Sequence, residues 1–369
     1  MRREDAVQSE DWLTPVVVRD VSRSGPTTAP PDAGSDPAPH RSPPPGIPEA
    51  DYPPGPSFPA IPWQARVNRW VREHLQPGQI EADHDQCITA YMGTMATGCR
   101  IVAVVGAKGG VGKTTVALTA GRVLAEVPLA RPILMELNPD WGTVDAVVGD
   151  ANPRTLQDLL HHLTAVDRTG IGLLQGFVTM WGRLPVLTAP RFPGEMARLS
   201  PQDIARVLRV LAVHYNVIVL DCGTSFTGQL TQCALQVADH VLMVTTPDRA
   251  AMQKALAVVD YLASDRYGRD YGPLLSDHAP DAIGVRTRVP TELTLVVRGV
   301  GPLSASDPLD VRRLGAALPE LNAVIALPYS APLRHLLTNG TLSFDMVPAD
   351  YRRALKSLLV ATLGRLAHP

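Results

Sequence analysis

Side chains suited to holding a polyphosphate are concentrated in fifteen residues, Ile101-Val-Ala-Val-Val-Gly-Ala-Lys-Gly-Gly-Val-Gly-Lys-Thr-Thr115. Gly109, Gly110 and Gly112 leave room for backbone N–H groups to close round phosphate oxygens. Lys113 supplies a cation for the β- and γ-phosphates, and Thr114 a hydroxyl for a Mg²⁺ ion. With Val111 and Thr115, these residues form one continuous candidate ligand surface. A second position of the same chemistry is Asp221, at the end of the apolar run Val217-Ile-Val-Leu220. An aspartate ending a buried strand is costly unless a cation faces it, and hydrated Mg²⁺ is such a cation. Nucleoside triphosphate binding with magnesium is the chemistry implied.

The elements that must position these residues follow from the pattern around them. Ile101 to Val105 is a short apolar run of the kind that fills a central parallel strand, and a helical pattern begins at Lys113 through Val116, Ala117, Ala120 and Val123. The positive end of that helix faces the same anion as the glycines. Further strand signals fall at Pro132–Leu137, Leu184–Thr188, Asn216–Asp221, His240–Thr246, Leu293–Arg298 and Asn322–Leu327. Helical patterns such as Asp203 to Val213 and Asp248 to Leu262 lie between them, and a last helix is expected from about Pro348 to Leu366. Strand and helix in alternation predict an α/β fold, a doubly wound, mostly parallel sheet of about seven strands, with ligands at the carboxyl ends of the strands.

Ahead of this domain, taken as residues 100–369, the composition changes. Residues 1–62 hold 15 of the 35 prolines and too little apolar content to offset the entropy of ordering, so they read as a disordered, polyproline-leaning tail. Trp12-Leu-Thr-Pro-Val-Val-Val18 is its one apolar island, a candidate recognition motif in a segment that serves either as a docking site for a protein partner or as a spacer. Residues 63–99 read as an amphipathic helix, Trp63 to Leu75, followed by a connection from Gln76 to Gly98.

The strict phosphate-loop pattern G-x-x-x-x-G-K-[ST] is missed by one residue, Ala107, whereas K-G-G-x-G-K-[ST] is met in full from Lys108 to Thr114. The chain therefore resembles the ParA/MinD group of ATPases, the P-loop NTPases with a deviant Walker A motif. The resemblance covers roughly residues 100 to 369 and implies ATP and Mg²⁺ as ligands, an ATP-dependent homodimer, and a role for Lys108 across the dimer on the partner's phosphates. Glu136-Leu-Asn-Pro-Asp-Trp-Gly142 resembles the switch I of that family, with Glu136 serving the Mg²⁺ shell through a water. Asn138 stands where relatives have the acid that orients the attacking water, and Asp140 is its rival for that task. Asp221-Cys-Gly-Thr224 resembles switch II, with Gly223 as the mobile backbone position. The run from Val244 to Arg249 resembles the stretch that lines nucleotide and dimer face, which makes Pro247 a candidate contact. Arg298 stands where relatives commonly have an asparagine that reads adenine, so stacking is the contact it offers to the base. A proline-rich tail before such a domain also resembles ATPases associated with type VII secretion in high-GC Gram-positive bacteria.

Composition narrows the classes further. A net charge of −2 gives no global pull toward nucleic acid or anionic membrane, although a local basic patch for DNA or a membrane surface is compatible with it. The four cysteines, Cys87, Cys99, Cys222 and Cys233, have neither C-x-x-C nor metal-ligand spacing, as expected of reduced thiols in a cytoplasmic protein. An iron–sulfur reductase would need a cysteine pair for a bridging cluster, and a bacterial tyrosine kinase a tyrosine-rich tail. Two functions are left standing. One is a dimerising ATPase switch that positions or regulates a cargo; the other is a nucleotide-binding regulatory module with little turnover, for which Asn138 speaks.

Overall fold

The computed structural model describes residues 16–17, 77–94, 98–138, 144–149, 154–169, 171–190, 192–271, 292–300, 318, 321–338 and 346–363. Asp140, the segment Trp63 to Leu75 and the tail other than Val16–Val17 lie outside them. The strands are β1 (Val16–Val17), β2 (Arg100–Val105), β3 (Pro132–Leu137), β4 (Thr179–Trp181), β5 (Leu184–Leu187), β6 (Val217–Cys222), β7 (His240–Thr245), β8 (Leu293–Val300) and β9 (Ala323–Pro328). They form one sheet in the order β1-β9-β8-β7-β2-β6-β3-β5-β4. All pairings from β5 to β9 are parallel, and the outermost strands β4 and β1 are antiparallel. The strand carrying the glycine loop, β2, thus lies centrally between β6 and β7, where the chain switches sides of the sheet.

Helices cover both faces, as a parallel sheet requires. The longer ones are α1 (Pro77–Thr94), α2 (Lys113–Leu124), α3 (Leu156–Thr169), α4 (Pro201–His214), α5 (Gln229–Val237), α6 (Arg249–Ala263), α7 (Ala331–Thr338) and α8 (Ala349–Leu363). Strand residues alternate between the two faces. Ile101, Ala103 and Val105 pack with residues of α3, α4, α5 and α6, while Val102 and Val104 pack with residues of α1, α2 and α8. The same alternation in β6 sends Ile218, Leu220 and Cys222 one way and Val217 and Val219 the other. Asp221 is thereby placed on the face that carries α2. Helix starts follow local chemistry: Ser200 and Asp203 close a capping box on α4, and Asp248 accepts from Ala251 N at 3.0 Å to cap α6.

The structure departs from the sequence expectations in three places. Where a connection is expected between Gln76 and Gly98, α1 forms and packs on α8, burying Ile88, Tyr91 and Met92. Its apolar residues cluster in its last turns instead of forming a full-length stripe, which leaves the periodicity weak in sequence. Strand β4 extends the sheet beyond β5 in a hairpin too short for an alternation signal. Within the tail read as disordered, Val16–Val17 pairs with Val324 and Ala323 at the sheet edge. The last helix packs on the sheet through Leu355, Leu358, Leu359 and Leu363. Its Lys356 reaches Glu81 at 3.0 Å and Asp85 at 2.7 Å on α1, so part of its basic face meets protein. Among the described residues no helix is long and apolar enough to cross a membrane.

Candidate functional site

The loop after β2 is shaped by two glycines for different reasons. A Cβ on Gly106 would stand 2.9 Å from Val244 O and 2.9 Å from Val111 Cγ2, so the strand exit can approach β7 only without a side chain. Gly112 is the N-cap of α2 with φ 94°, and a Cβ there would also come within 2.6 Å of Arg298 Nη1. The tight glycine at the strand exit is therefore Gly106, one residue before Ala107. Gly109 and Gly110 are exposed, and a Cβ on either would meet nothing within 4 Å, so the outer side of the loop is open. Val111 is buried and pins the loop to the core. Lys113 is buried at the first turn of α2, and Thr114 and Thr115 follow it half-buried. The first backbone N–H groups of a helix have no partner within it, so this end is a site for an anion.

Thr114 Oγ1 donates to Asp221 Oδ2 at 2.7 Å, bringing two of the three sequence-expected magnesium residues together across 107 residues of chain. Asp221 is wholly buried, and its Oδ1 has no hydrogen-bond partner. Burial pushes its carboxyl up to about 7, with the Thr114 hydrogen bond opposing, the neighbouring Glu136 adding, and Lys113 opposing. A buried carboxylate with an unpartnered oxygen beside a hydroxyl is a set of hard oxygen donors that fits hydrated Mg²⁺. Glu136 is in register with Asp221 across β3 and β6. Its oxygens accept from Val144 N at 3.4 Å and Ala189 N at 3.0 Å, so this carboxylate ties the segments following β3 and β5 together. Asn138 is half-buried at the exit of β3. Gly223 is buried directly after β6, and Cys222 is a core residue whose thiol burial pushes far above its usual range.

Lys108 extends to solvent and meets Asp248 at 3.2 Å, both groups nearly half exposed. Asp248 also accepts from Thr246, and these hydrogen bonds with the Lys108 charge hold its carboxyl down to about 2. Pro247 is exposed beside them. Between this stretch, the end of β8 and the start of α7 lies a cavity of about 400 Å³, lined by Gly110, Thr246, Pro247, Arg298, Tyr329 and Tyr351 among others. Ser330 caps α7 by accepting from Leu333 N at 3.1 Å. Sequence reasoning missed the close approach at Gly106, the tie made by Glu136 and the packing of Arg298 on Gly112. The last was within reach: Leu295 and Val297 belong to one face and Val296 to the other, so Arg298 must point toward α2 and α8.

No protein-family model matches the chain. It is 26% identical over 267 residues to the ESX-1 secretion-associated protein EspI of Mycobacterium tuberculosis strain H37Rv, a match covering 70% of this chain and 36% of that protein. It is 32% identical over 165 residues to the chromosome partitioning protein ParA of Myxococcus xanthus, covering 40% and 52% of the two chains. The chain thus spans about a third of the EspI protein and about half of the ParA protein. Among solved structures, a ParA family ATPase from Chlorobium tepidum superposes with a TM-score of 0.54 at 16% identity, over 71% of this chain and 99% of that one. The septum site-determining protein MinD of Pyrococcus horikoshii, complexed with Mg-ADP, gives a TM-score of 0.51 at 15% identity, over 70% and 94%.

Proposed function

We propose that this chain, which is of the ParA/MinD type in sequence and fold, is an ATP- and Mg²⁺-binding switch that dimerises on ATP, hydrolyses it slowly and so regulates a cellular cargo. The observation that carries this reading is the 2.7 Å contact of Thr114 with a buried Asp221, at the loop whose helix begins with buried Lys113. Phosphates would lie on the glycine loop and the first turn of α2, where Lys113 would offset their charge; Thr114 and Asp221 would hold a Mg²⁺ ion, which would supply charge neutralisation for phosphoryl transfer. Gly223 is the backbone position that follows the γ-phosphate, and Pro247 faces nucleotide or partner. Lys108, the first residue of the K-G-G-x-G-K-[ST] variant, acts across the dimer once it leaves Asp248.

Asn138 supports a second reading of the same site, a regulatory module that binds nucleotide with little or no hydrolysis. A neutral amide can hold a water in line but cannot take its proton. In either case the chain works in the cytoplasm, and its proline-rich tail recruits a protein partner. The EspI likeness favours a secretion complex over a septum or chromosome locus as the cargo.

Light scattering of the full chain with and without Mg-ATP tests the switch. A mass that doubles with ATP in the unmodified protein and stays single in Lys108→Ala, which still binds ATP, is the expected result. A mutant that dimerises as well as the parent rejects the in-trans role of Lys108.

A further inference from the structure

A groove of about 640 Å³, mostly apolar, runs between α1, the last turn of α2 and Lys356 of α8, at the end of α2 opposite the glycine loop. Its α1 wall is Ala82, Gln86, Thr89 and Ala90, at the i, i+4, i+7, i+8 spacing of one helical stripe. Ala82, Gln86 and Ala90 are exposed, whereas Ile88, Tyr91 and Met92 of the same helix are buried, so α1 turns one face to the core and another to the groove. Two alanines make that second face a trough in which another backbone can lie close. Val127 and Pro128 form the facing wall. Leu129 follows them with φ 67° and its side chain 64% exposed, and a Cβ on Gly93 of α1 would stand 3.9 Å from its Cδ1. Asn216 holds this turn, donating to Leu129 O at 2.8 Å and accepting from Arg131 N at 2.7 Å. The left-handed conformation costs a leucine what it would not cost a glycine, so an apolar side chain is kept in the open against local preference. Helix α1 carries Glu81, Asp83 and Asp85 and neither lysine nor arginine.

We propose that this groove is a docking site for residues 63–75 of the same chain, folded back along α1 as an antiparallel helix. Apolar pattern, charge and reach each point to that occupant. Val67, Trp70, Val71 and Leu75 recur at helical spacing and supply an apolar face for the trough. Arg66, Arg69 and Arg72 flank that face with Glu73 as the one acid of the segment, opposite in sign to α1. As a helix the segment is about 20 Å long, enough to span the roughly 12 Å from Ala82 to Ala90. Gln76 alone separates Leu75 from Pro77, the first residue of α1. A proline ends a preceding helix and suits the first turn of the next, and antiparallel helix pairs are joined by connections of this length. Counting outward from Gln76 in both directions sets Val71 beside the turn of Ala82, Val67 beside that of Gln86 and Trp63 beside Thr89. So short a tether gives the segment a high effective concentration at the groove, which a free partner lacks. Docking there needs no nucleotide.

Amide hydrogen exchange of the full chain, read by mass spectrometry, tests this in the unmodified protein, in Thr89→Arg and in the double variant Ala82→Arg, Thr89→Arg. Ala82 is exposed and Thr89 half-buried, so these changes fill the trough and repel the arginines of the segment without entering the core. In the parent, amides of residues 63–75 should exchange about 10-fold or more slower than those of residues 20–62, and the double variant should bring them to the rate of that tail. Thr89→Arg should shift them the same way, and it carries the test should the double variant fail to fold. Exchange of residues 63–75 as fast as the tail in the parent overturns the proposal. So does slow exchange that neither variant alters, since the segment then docks elsewhere. Slow exchange found only at concentrations where light scattering shows a dimer gives the groove to a second copy, and groove substitutions that release residues 364–369 instead give it to that segment; both overturn the assignment.

Discussion

The phosphate end and the switch end of this site lie on neighbouring strands and were built under different constraints. At the phosphate end, β2, Gly106, Gly112, Lys113, Thr114 and Asp221 are fixed by backbone geometry and by the face on which a strand residue points. At the switch end, Glu136 spends its oxygens on Val144 N and Ala189 N, and the position expected to hold a water-orienting acid is Asn138. In the proposed reading, binding would be set by the fold, whereas turnover would depend on side chains that a loop can exchange without disturbing the sheet. A protein can keep the first and retune the second.

The largest expected effect breaks the phosphate end. Lys113→Ala removes the buried cation of α2 and should abolish calorimetrically detectable ATP binding; near-normal affinity would remove the basis for the phosphate assignment. At the switch end, restoring an acid is the sharper move. Asn138→Asp should raise the hydrolysis rate by about 10²-fold, the order associated with one positioning or electrostatic contact. If Asp140 has taken over the water, Asp140→Ala should instead abolish turnover, and fast turnover in the parent that survives this substitution would refute both accounts.

A smaller effect is read at the buried Asp221 by pH. Burial holds Asp221 up to about 7 in the folded chain, against an unfolded carboxyl near ~3.9. Between those values the folded state keeps a proton that the unfolded state has lost, so this residue makes stability fall as pH rises from about 4 to about 7. Denaturant titrations without nucleotide or Mg²⁺ at pH 5 and pH 8 should show that fall reduced in Asp221→Asn. An unchanged difference would mean that the charge on Asp221 is compensated by other groups. Smallest of all, Lys356→Ala should cost about 1 kcal/mol through its contacts with Glu81 and Asp85, without altering ATP affinity.

What the sequence made legible follows the same division. Seven strands were readable because parallel strands buried on both faces appear as β-branched apolar runs, and Pro132–Leu137 was placed to the residue. The Thr114–Asp221 contact was readable because a motif and a costly strand-end acid had one explanation between them. Glu136 as a tie was not, since accepting backbone N–H groups requires only that loops pass nearby, which no spacing records. Arg298 was legible as a departure, and the alternation along β8 aims it toward α2, but its contact with Gly112 joins strands that are not neighbours in the sheet and so left no spacing to read. Helix α1 escaped for lack of a stripe, its buried side chains being gathered near Tyr91.

That helix sets where the chain tolerates shortening. Removing residues 1–62 takes away the two-residue edge strand β1 and otherwise sequence too poor in apolar side chains to hold up a core, and melting should be nearly unchanged. Starting the chain at Arg100, the first residue of β2, does something else: it uncovers the surfaces that Ile88 at 1%, Tyr91 at 4% and Met92 at 3% exposure now shield. Bared apolar area of this kind promotes self-association, so a fragment trimmed to the phosphate-binding motif should precipitate or elute as a large aggregate. A preparation cut no later than Pro77 keeps that surface dry.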